Sequence, residues 1–210
     1  MAQALLMEKQ ITFDSDDLRL HGLLHTAGNK GVVVTHPHPL YGGDMHNPVV
    51  EAITHAFQHH GYTTLRFNFR GVGQSQGMFD EGLGEKQDVC RAMSYLENIG
   101  IEKYCLAGYS FGAWVNAQIL PEEMPDAEMI MVSPPVAFMG FESVQAIPKL
   151  KLVVTGGKDD IAPAQMIKKM LPAWCATTRL EIITGADHFY SGHTGTLSLV
   201  VQKAVSSFKK

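Results

Sequence analysis

Cysteine is scarce and scattered. Cys90, Cys105 and Cys175 form an odd set without C-x-x-C spacing, which argues against a disulfide framework or a zinc knot and fits a reducing cytoplasm. Long apolar runs are missing too. None approaches the roughly 18 residues of a membrane-spanning helix. The opening MAQALLMEKQ has a brief apolar patch, but no cationic segment precedes it and no stretch of signal length follows. Positive charge is not in excess: 17 Lys and Arg against 21 Asp and Glu give a net charge of −4. Both signs are scattered, so no basic stripe points to nucleic acid or to an acidic membrane surface. Repeats, low-complexity tracts and linkers are absent. The expectation is a soluble, cytoplasmic, single domain over residues 1–210, with neither nucleic acid nor membrane as partner.

What is present is an alternation. Hydrophobic residues make up 45% of the chain, enough for one well-buried core. KQITFDSDDLRLHGLLHT holds two period-2 stretches around Asp14–Asp17, which predicts a β-hairpin. GVVVT is a short continuous apolar run, as in a strand buried on both faces. NPVVEAITHAFQHHG spaces Val49, Val50, Ile53, Ala56 and Phe57 as a helix does, with Pro48 in its first turn and Gly61 as its stop. Further strands are predicted in YTTLRFNF, KYCLAGY, AEMIMVSP, KLKLVVTGG and TTRLEIIT. Helices are predicted in EGLGEKQDVCRAMSYLENIG, FGAWVNAQIL closed by Pro121, APAQMIKKMLPAW and GTLSLVVQKAVSSFKK. Such alternation calls for a mostly parallel sheet with helices on both faces. Ligands of these sheets bind beyond the carboxyl ends of the strands, so the polar residues that follow each strand carry the functional information.

Three of them form a chemical set. Ser110 follows CLAGY inside G-x-S-x-G, where Gly108 and Gly112 leave room for a sharp strand-to-helix turn. The next helix turns its free N–H groups to the same spot. KDDIAP follows KLVVTGG, and its Asp159 and Asp160 could equally cap a helix. His188 follows LEIITGA. Each residue alone has an ordinary reading. Together, a serine hydroxyl needs a base, an imidazole can take and return its proton, and a carboxylate can fix the imidazole tautomer.

GYSFG, GGKDDIAP, GADHFY and FRGVGQSQG resemble the nucleophile elbow, acid loop, histidine loop and R-G-x-G-x-S loop of the α/β-hydrolase superfamily. The likeness runs from about Lys9 to the C-terminus. It implies an α/β-hydrolase fold: a mostly parallel central sheet, an N-terminal antiparallel hairpin, helices on both faces and no cap domain. It also implies a catalytic set of Ser110, Asp159 and His188. Aligning the acid loop on Pro163 selects Asp159 and leaves Asp160 as a solvated or capping neighbour. THPHPLYGGDMHNPVV is similar to a group of small capless bacterial hydrolases related to dienelactone hydrolases. Those proper use cysteine at the elbow, where this chain has Ser110.

The resemblance further implies an oxyanion hole of two backbone N–H groups. One is that of Phe111. The second comes from HPHPLYGG, where Pro37 and Pro39 have no N–H to offer. Counting from His36 points to His38; counting from Gly42–Gly43 points to Leu40, the favoured expectation. Tyr41, Met78, Phe138 and Met139, with Phe79 and Phe141, are candidate pocket residues, their alternative being the core. PPVAFMGFESVQA has room for a short helix and no lid. His36, His38 and His46 lack a metal motif such as H-E-x-x-H, and the glycines at 71, 73 and 77 miss dinucleotide spacing by one residue. No metal or other cofactor is expected. The expected activity is serine hydrolysis of small to medium carboxylic esters or thioesters through an acyl-enzyme on Ser110. The alternatives are a non-catalytic binding protein on the same fold and a metal-dependent hydrolase.

Overall fold

Strand β1 (Lys9–Ser15) turns through Asp16 and Asp17 into β2 (Leu18–His25), with Ser15 opposite Leu18 and Asp16 in the left-handed region at φ 51°. In the computed structural model, which describes residues 7–119, 126–141, 144 and 146–208, this hairpin forms one edge of an eight-stranded sheet. The strands run in the order β1-β2-β4-β3-β5-β6-β7-β8. The others are β3 (Lys30–Thr35), β4 (Thr63–Phe67), β5 (Lys103–Tyr109), β6 (Glu128–Val132), β7 (Leu150–Gly156) and β8 (Arg179–Ile183). From β4 to β8 every pairing is parallel, while β1–β2 and β2–β4 are antiparallel.

The continuous apolar strands serve two cores. Val33, Leu106, Met129, Met131 and Val153 face one cluster. Val32, Val34, Cys105, Ala107, Ile130, Val132, Leu152 and Val154 face the other. Side chains alternate across a strand, so a run such as Val32–Val34 fills both sides, each buried valine contributing about 1.5–3 kcal/mol. Helices α2 (Leu83–Asn98), α3 (Phe111–Ile119) and α4 (Ala164–Trp174) cover the first cluster, and α1 (Pro48–Gln58) and α5 (Thr194–Val205) the second. α1 starts with Pro48 in its first turn, as its sequence predicts, and the Asn47 side chain just ahead of it accepts the Val49 N–H at 2.9 Å. Gly61 follows its end at φ 73°. The expected closure of α3 at Pro121 lies outside the described residues.

β6 and β7 are joined by residues 133–149, and no cap domain stands there. The expected short helix is not seen in the described part of this segment. Pro135 accepts N–H groups from Phe138 and Met139, which makes a turn; residues 142, 143 and 145 lie outside the description. No helix among the described residues is long and apolar enough to cross a membrane.

A buried ion pair ties the hairpin to this framework. Asp88 on α2 has a fully buried side chain. It accepts the Ser15 hydroxyl at 2.7 Å, the Arg70 N–H at 3.0 Å and the Arg70 guanidinium at 2.7 Å. These bonds hold the loop after β4. Removing one partner of such a pair strands the other without its counter-charge. We therefore expect Asp88→Ala to lower stability by about 3–5 kcal/mol, read as a lower urea midpoint at unchanged slope. An unchanged midpoint contradicts this.

Candidate active site

β5 ends at Tyr109, and α3 begins at Phe111. The single residue between them has to reverse the chain. Ser110 does so with φ 53°, a conformation that costs a non-glycine residue about 1–3 kcal/mol. The turn is held from both sides: the Ser110 N–H is donated to Val132 O at 2.9 Å, and its carbonyl accepts the N–H groups of Ala113 and Trp114. The flanking glycines are required by contact. A Cβ on Gly108 would lie 2.5 Å from the Ala113 nitrogen, and one on Gly112 would lie 2.5 Å from Thr35 Oγ1.

The three polar residues expected from three strand ends meet. Ser110 Oγ lies 3.0 Å from His188 Nε2, and His188 Nδ1 lies 3.0 Å from each oxygen of Asp159. All three are buried, at 7%, 7% and 4% exposure. Asp159 follows β7. Its Oδ1 also accepts the Ile161 N–H at 3.0 Å and the Ala162 N–H at 2.7 Å. Burial works against its charge, but the bonds from His188, the Ser133 hydroxyl and the Ala162 N–H outweigh that cost and hold its pKa below the usual carboxylate value. Asp160 is exposed, and Pro163, not Asp160, stands at the N-cap of α4.

A cavity of about 730 Å³ opens over Ser110. Tyr41, Phe138 and Met139 line it, with His38, Phe111, Ile161 and Phe189. Three pocket expectations are corrected, for Met78, Phe79 and Phe141. Met78 is 81% exposed and does not reach the wall. The loop presses the Met78 backbone against Gly71 and sends the next ring inward, so that Phe79 packs 4.9 Å from His38 and 5.8 Å from Phe111. Phe141 is a core residue packed against Trp174, with ring centroids 5.2 Å apart and tilted by 44°.

Leu40 is corrected as the second oxyanion donor. Its N–H is donated to His38 Nδ1 at 3.2 Å, and its side chain points to solvent outside the cavity wall. The loop folds as a short 3-10 turn over Pro39–Tyr41. Tyr41 and Gly43 donate their N–H groups to His38 O, and Gly42 donates to Pro39 O. The His38 N–H is the one left over, and the Phe111 N–H likewise has no partner among the described residues.

Several contributors were missed. Ser133 follows β6 just as Ser110 follows β5, in the left-handed region at φ 45°, and its hydroxyl meets that of Tyr190 at 2.8 Å. The signal was its place after a strand. Tyr109 donates its hydroxyl to the His188 carbonyl at 2.9 Å. Thr155 Oγ1 bonds Ala162 O at 2.6 Å and lies 3.4 Å from Asp159 Oδ2. No sequence pattern marks Tyr109 or Thr155. The histidines of the HPHP loop do not converge: both nitrogens of His36 engage backbone groups, and His46 is exposed. Among the described residues, no group of three or more His, Cys, Asp or Glu side chains is placed to hold a metal ion.

No family model matches the chain. It is 33% identical over 205 residues to the uncharacterized protein RP471 of Rickettsia prowazekii (strain Madrid E), covering 91% of this chain and 86% of that one. An α/β serine hydrolase homologue from Coxiella burnetii superposes with a TM-score of 0.88 at 30% identity, covering 96% of this chain and 99% of that one. The chain belongs to the α/β-hydrolase superfamily. XC6422 from Xanthomonas campestris, described as an α/β serine hydrolase without lid, matches equally well at TM-score 0.88, with 29% identity and coverage of 95% and 94%. That lidless plan is also the one found here between β6 and β7.

His36, which closes β3, gives a test of the local electrostatics. It is fully buried, and burial lowers its pKa from 6.5 to about 4. The unfolded chain therefore takes up the proton first as pH falls. Stability is complete above about pH 6.5 and declines towards pH 4, by on the order of 3 kcal/mol. We expect urea unfolding between pH 7 and 4.5 to show this slope in the wild type and to show less of it in His36→Asn.

Proposed function

We propose that this protein is a serine hydrolase that cleaves small to medium, uncharged carboxylic esters or thioesters through an acyl-enzyme on Ser110. The observation that carries this reading is the His188 ring, with one nitrogen 3.0 Å from Ser110 Oγ and the other 3.0 Å from Asp159. With a carboxylate on Nδ1, that nitrogen holds the proton and Nε2 is free to accept one. Ser110 Oγ attacks the carbonyl carbon while its proton passes to Nε2. The tetrahedral oxyanion collapses, the bond to the alcohol or thiol breaks, and the leaving group takes the Nε2 proton. Water then repeats the sequence on the acyl-enzyme: His188 takes its proton, the acid departs and Ser110 regains its hydrogen.

The oxyanion donors in this reading are the unengaged N–H groups of Phe111 and His38. Each is worth about 2.7–4 kcal/mol in the transition state. The preference for uncharged substrates rests on the cavity wall, where no Lys, Arg, Asp or Glu appears among the described lining residues. An ionised substrate group would lose its hydration there without gaining a partner. Aromatic and aliphatic side chains instead offer dispersion and burial to an apolar acyl group. Among the described residues, the open side between β6 and β7 leaves no enclosed channel for a long chain.

A fluorophosphonate probe should label the wild type and leave Ser110→Ala unlabelled. Labelling that survives the substitution contradicts the assignment. Across p-nitrophenyl esters, kcat/KM should peak at short to medium acyl lengths. A p-nitrophenyl ester whose acyl group ends in a carboxylate should fall at least about tenfold below its neutral isostere, the factor expected for 1.4 kcal/mol of uncompensated desolvation. Equal rates for that pair, or a preference for long-chain lipid esters, would count against the substrate class.

A further inference from the structure

His36 closes β3 immediately before the loop that supplies the His38 N–H, and it is fully buried. Its two nitrogens have opposite partners. Nδ1 lies 2.7 Å from the Pro37 carbonyl oxygen and so must donate; Nε2 receives the Phe69 N–H at 3.1 Å and so must accept. The pair of contacts selects the neutral ring with its proton on Nδ1. Pro37 O belongs to the same peptide unit as the His38 N–H. A trans peptide is planar, with its C=O and N–H directed oppositely. Whatever fixes the Pro37 oxygen therefore fixes the direction of the His38 hydrogen.

We propose that His36 is a positioning residue for the oxyanion hole, its Nδ1–H clamping the Pro37 carbonyl so that the His38 N–H is held in one direction. This rests on the serine hydrolase reading above. The neighbours agree with it. Gly43 packs on the far side of that carbonyl, where a Cβ would lie 2.1 Å from Pro37 O. The next carbonyl, that of His38, is held by the Tyr41 and Gly43 N–H groups. The peptide is thus pinned at both ends, and its free hydrogen needs no reorganisation as the oxyanion forms. The clamp also joins the two donors: the Phe69 ring packs 4.7 Å from His36 and 5.8 Å from Phe111.

Two substitutions separate positioning from simple support of the fold. An asparagine amide nitrogen falls near the imidazole Nδ1 and can donate to Pro37 O; a glutamine amide oxygen falls near Nε2 and can accept from Phe69. With p-nitrophenyl butyrate, His36→Gln should lose about 10- to 100-fold in kcat with little change in KM, the mark of an interaction made in the transition state. His36→Asn should retain most of the wild-type kcat, and fluorophosphonate labelling rates should follow the same order. Gln as active as Asn, or more active, overturns the proposal, as does a loss confined to KM. Wild-type protein is read in parallel by nuclear magnetic resonance, which does not depend on the variants folding. The His36 ring should carry its proton on Nδ1, and the His38 amide hydrogen should move downfield when Ser110 is phosphonylated. A proton on Nε2, or a His38 amide that does not move, overturns the clamp while leaving the hydrolase reading intact. Wild-type protein that neither turns over ester nor takes up the probe overturns both.

Discussion

His188 has to satisfy two neighbours that come from different parts of the chain, and the rest of the structure is arranged around that demand. Ser110 arrives from the end of β5, Asp159 from the end of β7, and His188 itself from beyond β8. The three reach one rim because parallel strands all terminate in the same direction. An imidazole bonded at both nitrogens tolerates little displacement of either partner. The stiffness of the sheet, with valines packed on both faces and methionines on one, is what keeps these bonds at length.

Burial of this set carries an electrostatic cost that is met locally. Asp159 is 4% exposed, and an uncompensated carboxylate there would protonate. Two backbone N–H groups from its own loop and the ring of His188 restore what water would have supplied. Behind them stand the hydroxyls of Thr155, Ser133 and Tyr190. Strain gathers in the same place. Of the non-glycine residues at positive φ, Ser110, Ser133 and Tyr190 all belong to this rim. Apart from a register shift between Met129 and Ile130 where β6 pairs with β7, the strands below are regular, as expected where a stable scaffold carries an unfavourable local geometry.

Much of this was legible in the sequence, for reasons that differ by element. Val32–Val34 and Met129–Val132 announce buried strands because apolar residues on both faces leave a continuous run. Asn47–Pro48 and Gly61 bracket a helix by capping chemistry. The spacing around Ser110 is informative because contact with Thr35 and Ala113 leaves no space for a Cβ on either flanking glycine. The loop between β3 and α1 was harder. Leu40 and His38 are both non-proline residues of one segment, and only the hydrogen bond from the Leu40 N–H to the His38 ring separates them. Met78 and Phe79 were indistinguishable by type; the turn at Gly71 decides which faces inward. Tyr109 and Thr155 act through hydroxyls whose partners are brought near only by the folded sheet.

The absence of a cap between β6 and β7 bears on the fate of the proposed covalent intermediate. Above Ser110 the cavity opens outwards past Tyr41 and Phe138, which are 88% and 75% exposed. On the proposed reading, bulk solvent would reach an acyl group there without any described segment having to swing aside, and a released acid would leave by the same route. Competing alcohols or thiols would, on that reading, find no shielded compartment among the described residues in which to outnumber water. The partition of such an ester bond would then follow mass action at an open surface, which favours scission over exchange.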